Sequence, residues 1–167
     1  DPQTILTPYS TTDVIANQGS NTALTTGGVA EFDGFGVIAL QADATADAPN
    51  LVVSINTTGR ANISISYTLR DIDGTADNAI QPVALQYRVG SAGNFINVPS
   101  GFVADATTGP NLATKVTPVN VTLPSAVNDQ SLVQIRIMVT NAVSDDEWVG
   151  VDDIVVGNRE FAINTYT

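Results

Sequence analysis

Acidic side chains with the spacing of cation ligands stand in two short segments of this chain. The first is Asp71-Ile-Asp73-Gly, and the second, Asp145-Asp146-Glu147, comes directly before Trp148, the only tryptophan. Oxygen ligands that alternate along a loop with a Gly turn are typical of Ca²⁺ sites, although the first segment lacks the length and the terminal Glu of an EF-hand loop. The chemistry that these residues favour is the binding of a hard divalent cation.

The residue types that are missing narrow the chemistry further. The chain has no Cys and no His, which excludes thiol nucleophiles, disulfide scaffolds, Ser-His-Asp triads and most transition-metal sites. Glu147 and Asp71 could reach the roughly 5–9.5 Å separation that glycoside hydrolysis needs. However, aromatic residues that could stack on a sugar are few, and the loops are too short to build a cleft. We therefore expect a protein without enzymatic activity.

The charge balance excludes other partners. Six cationic residues against 17 acidic ones give a net charge of −11, so the chain has no basic stripe for nucleic acid, and an anionic membrane would repel it. No apolar run approaches the roughly 18 residues of a membrane span. The start at Asp1 and the composition, low in Lys and rich in Thr and Asn, favour a secreted, extracellular or cell-surface protein, as a processed form or a fragment.

The elements that position these carboxylates are short segments in which apolar and polar residues alternate, separated by turn residues. The clearest one places Ile63, Ile65, Tyr67 and Leu69 on one face of a strand and polar residues on the other. Similar patterns recur along the chain, with Gly, Pro, Asn and Asp between them, and no segment has the 3.6-residue period of a helix. A 167-residue chain with this pattern predicts one all-β sandwich of two antiparallel sheets.

Four segments carry a family resemblance. Residues 67–74, 81–90, 102–109 and 146–154 resemble a jelly-roll module of large secreted bacterial proteins, which is similar in shape to carbohydrate-binding and MAM-type jelly rolls. The resemblance implies a jelly-roll β-sandwich that serves as a non-catalytic extracellular accessory or surface domain. We accordingly expect an N-terminal arm at 1–30, the jelly roll at 31–157 and a strand-like tail at 158–167.

The jelly-roll topology would bring the two acidic segments together. Its last strand lies antiparallel beside a central strand of the first half, here 63–71, so Asp71 and Asp73 would approach 145–147. Five carboxylates at one end of a sandwich repel one another unless they are screened or coordinated. We expect a Ca²⁺ site that rigidifies this end. The alternative is a solvated acidic rim in which Arg70 pairs with one carboxylate.

Asp152 provides a second candidate cation site. Asp152 and Asp153 are consecutive in a predicted strand, so they face opposite sides and one of them points inward. The resemblance to carbohydrate-binding jelly rolls implies a structural Ca²⁺ held by an Asp of the closing strand and an acidic residue early in the domain, for which Glu31 or Asp33 qualifies. The alternative is a buried Asp that accepts hydrogen bonds from the backbone amides of a β-bulge.

Trp148 has two interpretations. As an exposed platform beside polar loops it would bind carbohydrate, since an aromatic ring stacks on a sugar. As a buried residue it would close one end of the sandwich. The alternation around Trp148 does not decide which face of the strand it occupies.

The two ends of the chain favour a structural function. Both carry sparse apolar alternation, at Ile5, Tyr9, Val14 and Ile15 in the arm and at Phe161 and Ile163 in the tail. A lone strand leaves its main-chain groups unsatisfied, so each end must add to a sheet edge, either its own or a neighbour's. We expect a self-associating secreted structural protein, a homo-oligomer or polymer such as a filament or surface-layer subunit. The alternative is a carbohydrate-binding or adhesion module.

Overall fold

Strands are the main regular elements of the structure, and short 3₁₀ helices lie at Pro2–Thr4, Pro99–Gly101 and Ser125–Val127. The computed structural model describes residues 1–8, 14–18, 27–43, 46–73, 79–109, 113–142 and 146–160, with the backbone alone at 14–18, 159 and 160. The strands are β1 (Val14–Gln18), β2 (Gly28–Phe32), β3 (Val37–Gln41), β4 (Asn50–Ile55), β5 (Arg60–Asp71), β6 (Val83–Val89), β7 (Ile96–Asn97), β8 (Val116–Thr122), β9 (Val133–Val139) and β10 (Val149–Glu160). Within these ranges, no helix is long and apolar enough to span a membrane.

The strands form the two sheets of a jelly roll, which confirms the predicted fold. One sheet has the order β1-β2-β3-β10-β5-β8 and the other has the order β4-β9-β6-β7. From β3 to β6 the chain passes from one sheet to the other at each connection, and from β8 to β10 it does so again. The pairs are antiparallel except for β1 with β2, which is parallel.

The apolar half of each alternation forms the core between the sheets. In β5, Ile63, Ile65, Tyr67 and Leu69 are each at most 2% exposed, and they pack against Leu85, Ile135 and Ile137 of the opposite sheet. The polar residues between them face outward. Because successive side chains of a strand point to opposite faces, the pattern read in the sequence sets which half is buried. Burial drives this packing, at about 25 cal/mol for each Å² of apolar surface removed from water.

The predicted domain boundaries cut through two strands. β2 begins at Gly28, before the expected boundary at 30, and β10 continues to Glu160 instead of ending at 157. The pairing of β10 with β5 explains the second difference, because Arg159 pairs with Ala61 and Glu160 with Arg60. The sandwich strands therefore extend over 28–160, and residues 161–167 of the predicted tail lie outside the described part.

The described part of the predicted arm pairs with its own chain. β1 lies beside β2, with Val14 opposite Val29. Residues 1–8 lie on the outer face of the four-stranded sheet, where Gln86 and Arg136 donate hydrogen bonds to their carbonyl groups. Tyr9 lies outside the described residues. Of the two options for the arm, these contacts match addition to its own sheets.

A matched pair of substitutions in β5 tests this arrangement. Ile65 is fully buried in the core, and its neighbour Ser66 faces outward. We expect Ile65→Ala to lower the free energy of unfolding by about 2–5 kcal/mol, because it leaves a cavity, and Ser66→Ala to change it by less than about 0.5 kcal/mol. Denaturant titration measures both. Equal effects would contradict the assignment of faces in β5.

Candidate functional site

The acidic end of the sandwich forms where β5 ends and β10 begins. Val149 pairs with Asp71, which confirms that the two acidic segments approach each other. Asp71, Asp73 and Glu147 are only 5%, 4% and 2% exposed. The alternative of a solvated rim is therefore wrong for these three carboxylates. Asp145 lies outside the described residues.

Backbone amides donate hydrogen bonds to three carboxylates at this end, those of Asp71, Asp146 and Glu147. Glu147 Oε1 accepts a hydrogen bond from the Ala79 amide at 2.7 Å, and Asp71 Oδ1 accepts one from the Asp73 amide at 3.2 Å. Asp146 Oδ1 accepts one from the Ala142 amide at 2.7 Å. Each carboxylate thus fixes the backbone of a loop at this end. Among the residues that the structure describes, no group of three or more acidic side chains is arranged to hold a metal ion, so the Ca²⁺ site stays a prediction.

The fold alters the protonation of the Asp71 carboxyl group. Burial raises its pKa from 3.8 to about 6. Hydrogen bonds from the backbone amides of Asp73, Thr114 and Ala113 act against this rise, and the nearby charge of Asp73 adds to it. Burial dominates because it removes water from the charged form.

The second predicted cation site is an open pocket of about 390 Å³ beside the β2–β3 turn. Glu31, Asp33 and Asp152 all line it, together with Asp153. However, Asp152 turns toward Arg70, whose Nε lies 2.9 Å from Asp152 Oδ2. Among the described residues, Arg70 therefore pairs with Asp152, and at 3.9 Å with Asp153, and not with a carboxylate of the acidic end as the alternative interpretation had it.

A β-bulge decides the direction of these two aspartates. The pairing of β10 with β5 shifts between Asp152 and Val155, and Asp153 has a φ of 54°. Asp152 Oδ1 accepts a hydrogen bond from the Asp153 amide at 2.8 Å. The alternative of an Asp hydrogen-bonded to a bulge thus matches the contact, but the Asp152 side chain is 25% exposed and so only half-buried.

Trp148 is a buried packing residue, so its prediction as a sugar platform is wrong. The side chain is 0% exposed, and its ring meets that of Phe32 edge-on, with centroids 5.3 Å apart. Val149 and Val151 belong to the core between the sheets, whereas Trp148 packs in a second cluster with Phe32, Val37 and Ile72. It therefore lies on the other face of the six-stranded sheet, a placement that depends on the strand register.

A polar groove on the outer face of the six-stranded sheet is a candidate site that the sequence analysis did not identify. It has a volume of about 560 Å³ and lies across β5, β8 and β10; its lining residues are Asn62, Ser64, Asn120, Thr122, Gly157 and Asn158. The register places Ser64 between Thr122 and Gly157. In the sequence, the polar residues that alternate with the apolar ones in β5 indicate part of this groove, since Asn62 and Ser64 belong to them.

Gly157 keeps the floor of the groove open. A Cβ atom at this position would lie 3.0 Å from the Ser64 hydroxyl oxygen, which is closer than ordinary van der Waals contact. Next to the groove, Val155 is 59% exposed and pairs with Ser66. The groove therefore combines amide and hydroxyl groups with an apolar edge and, among its described lining residues, has no charged side chain.

Comparisons with known proteins bear on the fold alone. No protein-family model matches the chain, and no curated protein matches it. Among solved structures, it is similar to TmCBM61 in complex with β-1,4-galactotriose, with a TM-score of 0.47 and 11% identity over 74% of this chain and 70% of that chain. It is also similar to a CBM4 structure, with a TM-score of 0.39 and 18% identity over 74% and 84% of the two chains.

A viral protein has a comparable likeness. The enzymatically active domain of bacteriophage CBA120 tailspike protein 4 has a TM-score of 0.44 and 10% identity, over 90% of this chain and 18% of that chain.

The raised pKa of Asp71 predicts a pH-dependent stability. The folded state binds this proton more tightly than the unfolded state does, so the free energy of unfolding should fall as the pH rises from about 4 to about 6. The fall is at most about 3 kcal/mol, since one pKa unit corresponds to about 1.36 kcal/mol. Asp71→Asn should remove most of this slope, as measured by denaturant titration at several pH values. A variant with the wild-type slope would contradict the assignment, and Ser66→Ala is the control that should keep it.

The same measurement tests the predicted Ca²⁺ site. A cation at the acidic end favours the ionised form of Asp71, so Ca²⁺ should stabilise the fold more at pH 8 than at pH 4.5. A site occupied at 100 times its Kd would add roughly 2.7 kcal/mol. We expect a higher melting temperature in millimolar Ca²⁺ than in chelator at pH 8. Equal melting temperatures would contradict the prediction.

Proposed function

We propose that this chain is a non-catalytic carbohydrate-binding module, and that a neutral saccharide lies in the polar groove of the six-stranded sheet. The observation that supports the proposal is the composition of the groove, whose described lining is Asn, Ser, Thr and Gly. Sugar hydroxyl groups both donate and accept hydrogen bonds. Asn amides and Ser or Thr hydroxyls do the same, so they match a neutral sugar without the cost of burying a charge.

The geometry of the sheet supports an extended ligand. Adjacent strands lie about 4.8 Å apart, so side chains on β10, β5 and β8 form parallel rows. Ser64 stands opposite Thr122, and Ser66 stands opposite Asn120. Val155 offers an exposed apolar surface beside these rows, against which the C–H face of a sugar ring could pack. An open groove that crosses several strands suits the middle of a saccharide chain of several sugar units better than the terminal unit of such a chain.

The openness of the groove limits the affinity. No aromatic ring is among the described lining residues, and each net hydrogen bond contributes only about 0.5–1.5 kcal/mol. Several such bonds, less the cost of ordering the partners, give a Kd on the order of 0.1–1 mM. The lining includes no carboxylate pair for hydrolysis, in keeping with binding without catalysis.

Self-association into a filament or surface layer stays a prediction. The contacts of residues 1–8 and of β1 lie within one chain, and the tail lies outside the described residues, so no contact in the described part favours polymer formation over binding. Secretion likewise stays an expectation from the composition. An extracellular binding or adhesion module is consistent with self-association and with secretion.

Screening on a glycan array, followed by calorimetry with the best neutral oligosaccharide, tests the proposal. We expect Asn120→Ala to weaken binding about fivefold, because it removes hydrogen bonds worth about 1 kcal/mol. Gly157→Val should abolish binding by filling the floor of the groove. The matched control is Ser54→Ala, since Ser54 belongs to β4 in the opposite sheet. An array without any bound glycan, or an Asn120→Ala variant with wild-type affinity, would overturn the proposal.

A further inference from the structure

The outer face of the four-stranded sheet binds the main chain of residues 1–8. These residues are the first part of the predicted arm at 1–30, and from here on the word arm means residues 1–8 alone. Three side chains of that sheet, here called the clamp, are Gln86 of β6, Asn97 of β7 and Arg136 of β9. Arg136 donates to the carbonyl oxygens of Ile5 at 2.7 Å and Thr7 at 2.9 Å. The Phe95 amide donates to the Leu6 carbonyl at 2.7 Å.

The rest of the clamp completes this pattern. Gln86 Nε2 donates to the carbonyl oxygens of Pro2 at 3.3 Å and Ile5 at 3.1 Å, and Asn97 Nδ2 donates to that of Gln3 at 2.7 Å. Five successive or near-successive carbonyl groups of the arm thus accept hydrogen bonds from one face of the sheet. Within the arm, Pro2 is buried, Gln3, Ile5 and Leu6 are half-buried, and the other residues are exposed. Recognition therefore combines main-chain hydrogen bonds with the burial of Pro2.

The clamp contains a charged side chain that is buried when the arm is bound. Arg136 is 0% exposed, and its guanidinium lies 4.0 Å from the centre of the Phe95 ring. Among the described residues, its hydrogen-bond acceptors are Gln86 and the arm carbonyls, and no carboxylate is one of them. Burial and the nearby charge of Arg88 together lower the pKa of Arg136 to about 10. Without the arm, this cation would lose two main-chain acceptors, which water would have to replace.

We propose that the groove on the outer face of the four-stranded sheet, which binds the 3₁₀ turn at Pro2–Thr4 and the residues that follow it, also accepts the arm of a second copy of this protein. The contacts are the same whichever chain supplies the arm, as in domain swapping. Recognition through main-chain carbonyl groups does not require a covalent link between the arm and the groove. A tethered arm has an effective concentration in the millimolar range, so exchange between copies should appear at millimolar protein and vanish on dilution.

A variant that lacks residues 1–8 tests the groove directly. We expect this deletion to lower the melting temperature by at least about 5 °C, and a synthetic peptide of residues 1–8 to restore it saturably. A peptide with Thr7→Ala should bind equally well, because Thr7 is exposed. A peptide with Pro2→Asp should bind at least about tenfold more weakly. An unchanged melting temperature after the deletion, or a peptide that does not bind, would overturn the proposal.

Substitutions in the groove test the clamp. In the deletion variant, Asn97→Ala should weaken peptide binding about fivefold, because it removes the bond to the Gln3 carbonyl. Asn94→Ala is the matched control, since Asn94 lies nearby in the chain and is exposed. Equal affinities in the two variants would contradict the assigned contacts. If the deletion variant does not fold alone, the peptide is added during refolding; a higher yield of folded protein supports the groove, and an unchanged yield overturns it.

Light scattering of the 167-residue chain tests occupancy by a second copy. At millimolar concentration we expect a dimer that dissociates on dilution and that is absent in the deletion variant. A 167-residue chain that stays monomeric at this concentration, although the free peptide binds, would overturn exchange between copies and restrict the groove to its own arm. The glycan experiment concerns the opposite sheet, so its failure and the failure of this proposal are distinguishable.

Discussion

The acidic end and the polar groove both depend on the position of β10 between β3 and β5 in the six-stranded sheet. Its pairing with β5 extends from Val149 opposite Asp71 to Glu160 opposite Arg60. The first end of this pairing brings the acidic segments together, and the other end places Gly157 beside Ser64 in the polar groove. Because β10 is far in sequence from β3 and β5, these contacts are long-range and slow to form.

The bulge in β10 controls which side chains face outward along this strand. Val151 is 4% exposed, whereas Val155, four residues later, is 59% exposed. In a regular strand the two would share a face. The extra residue near Asp153 reverses the alternation, since a shift of one residue moves every later side chain to the opposite face. As a result, the second half of β10 presents Val155 and Gly157 to the outer surface, where they border the groove.

Buried charges in this fold are satisfied mainly by main-chain groups. Asp71 and Glu147 accept hydrogen bonds from loop amides, and Arg136 donates to carbonyl groups of residues 1–8. In each case the charged side chain fixes a segment that has little regular pairing of its own. The two carboxylates hold the loops at one end of the sandwich, and the arginine holds the arm on the four-stranded sheet. Removing such a partner leaves a buried group unsatisfied, which is why these contacts matter more than exposed ion pairs.

The sequence by itself determined the class of fold and much of the core, because an alternation of period two fixes which residues of β5 face the core. It also indicated that Asp71 and the segment before Trp148 would meet. Only the tertiary structure decided the face that Trp148 occupies, the pairing of Asp152 with Arg70, and the groove that joins Asn120 and Thr122 to Ser64 and Gly157. These features depend on register, on a bulge and on contacts between distant strands, and local patterns carry no information about which strands become neighbours.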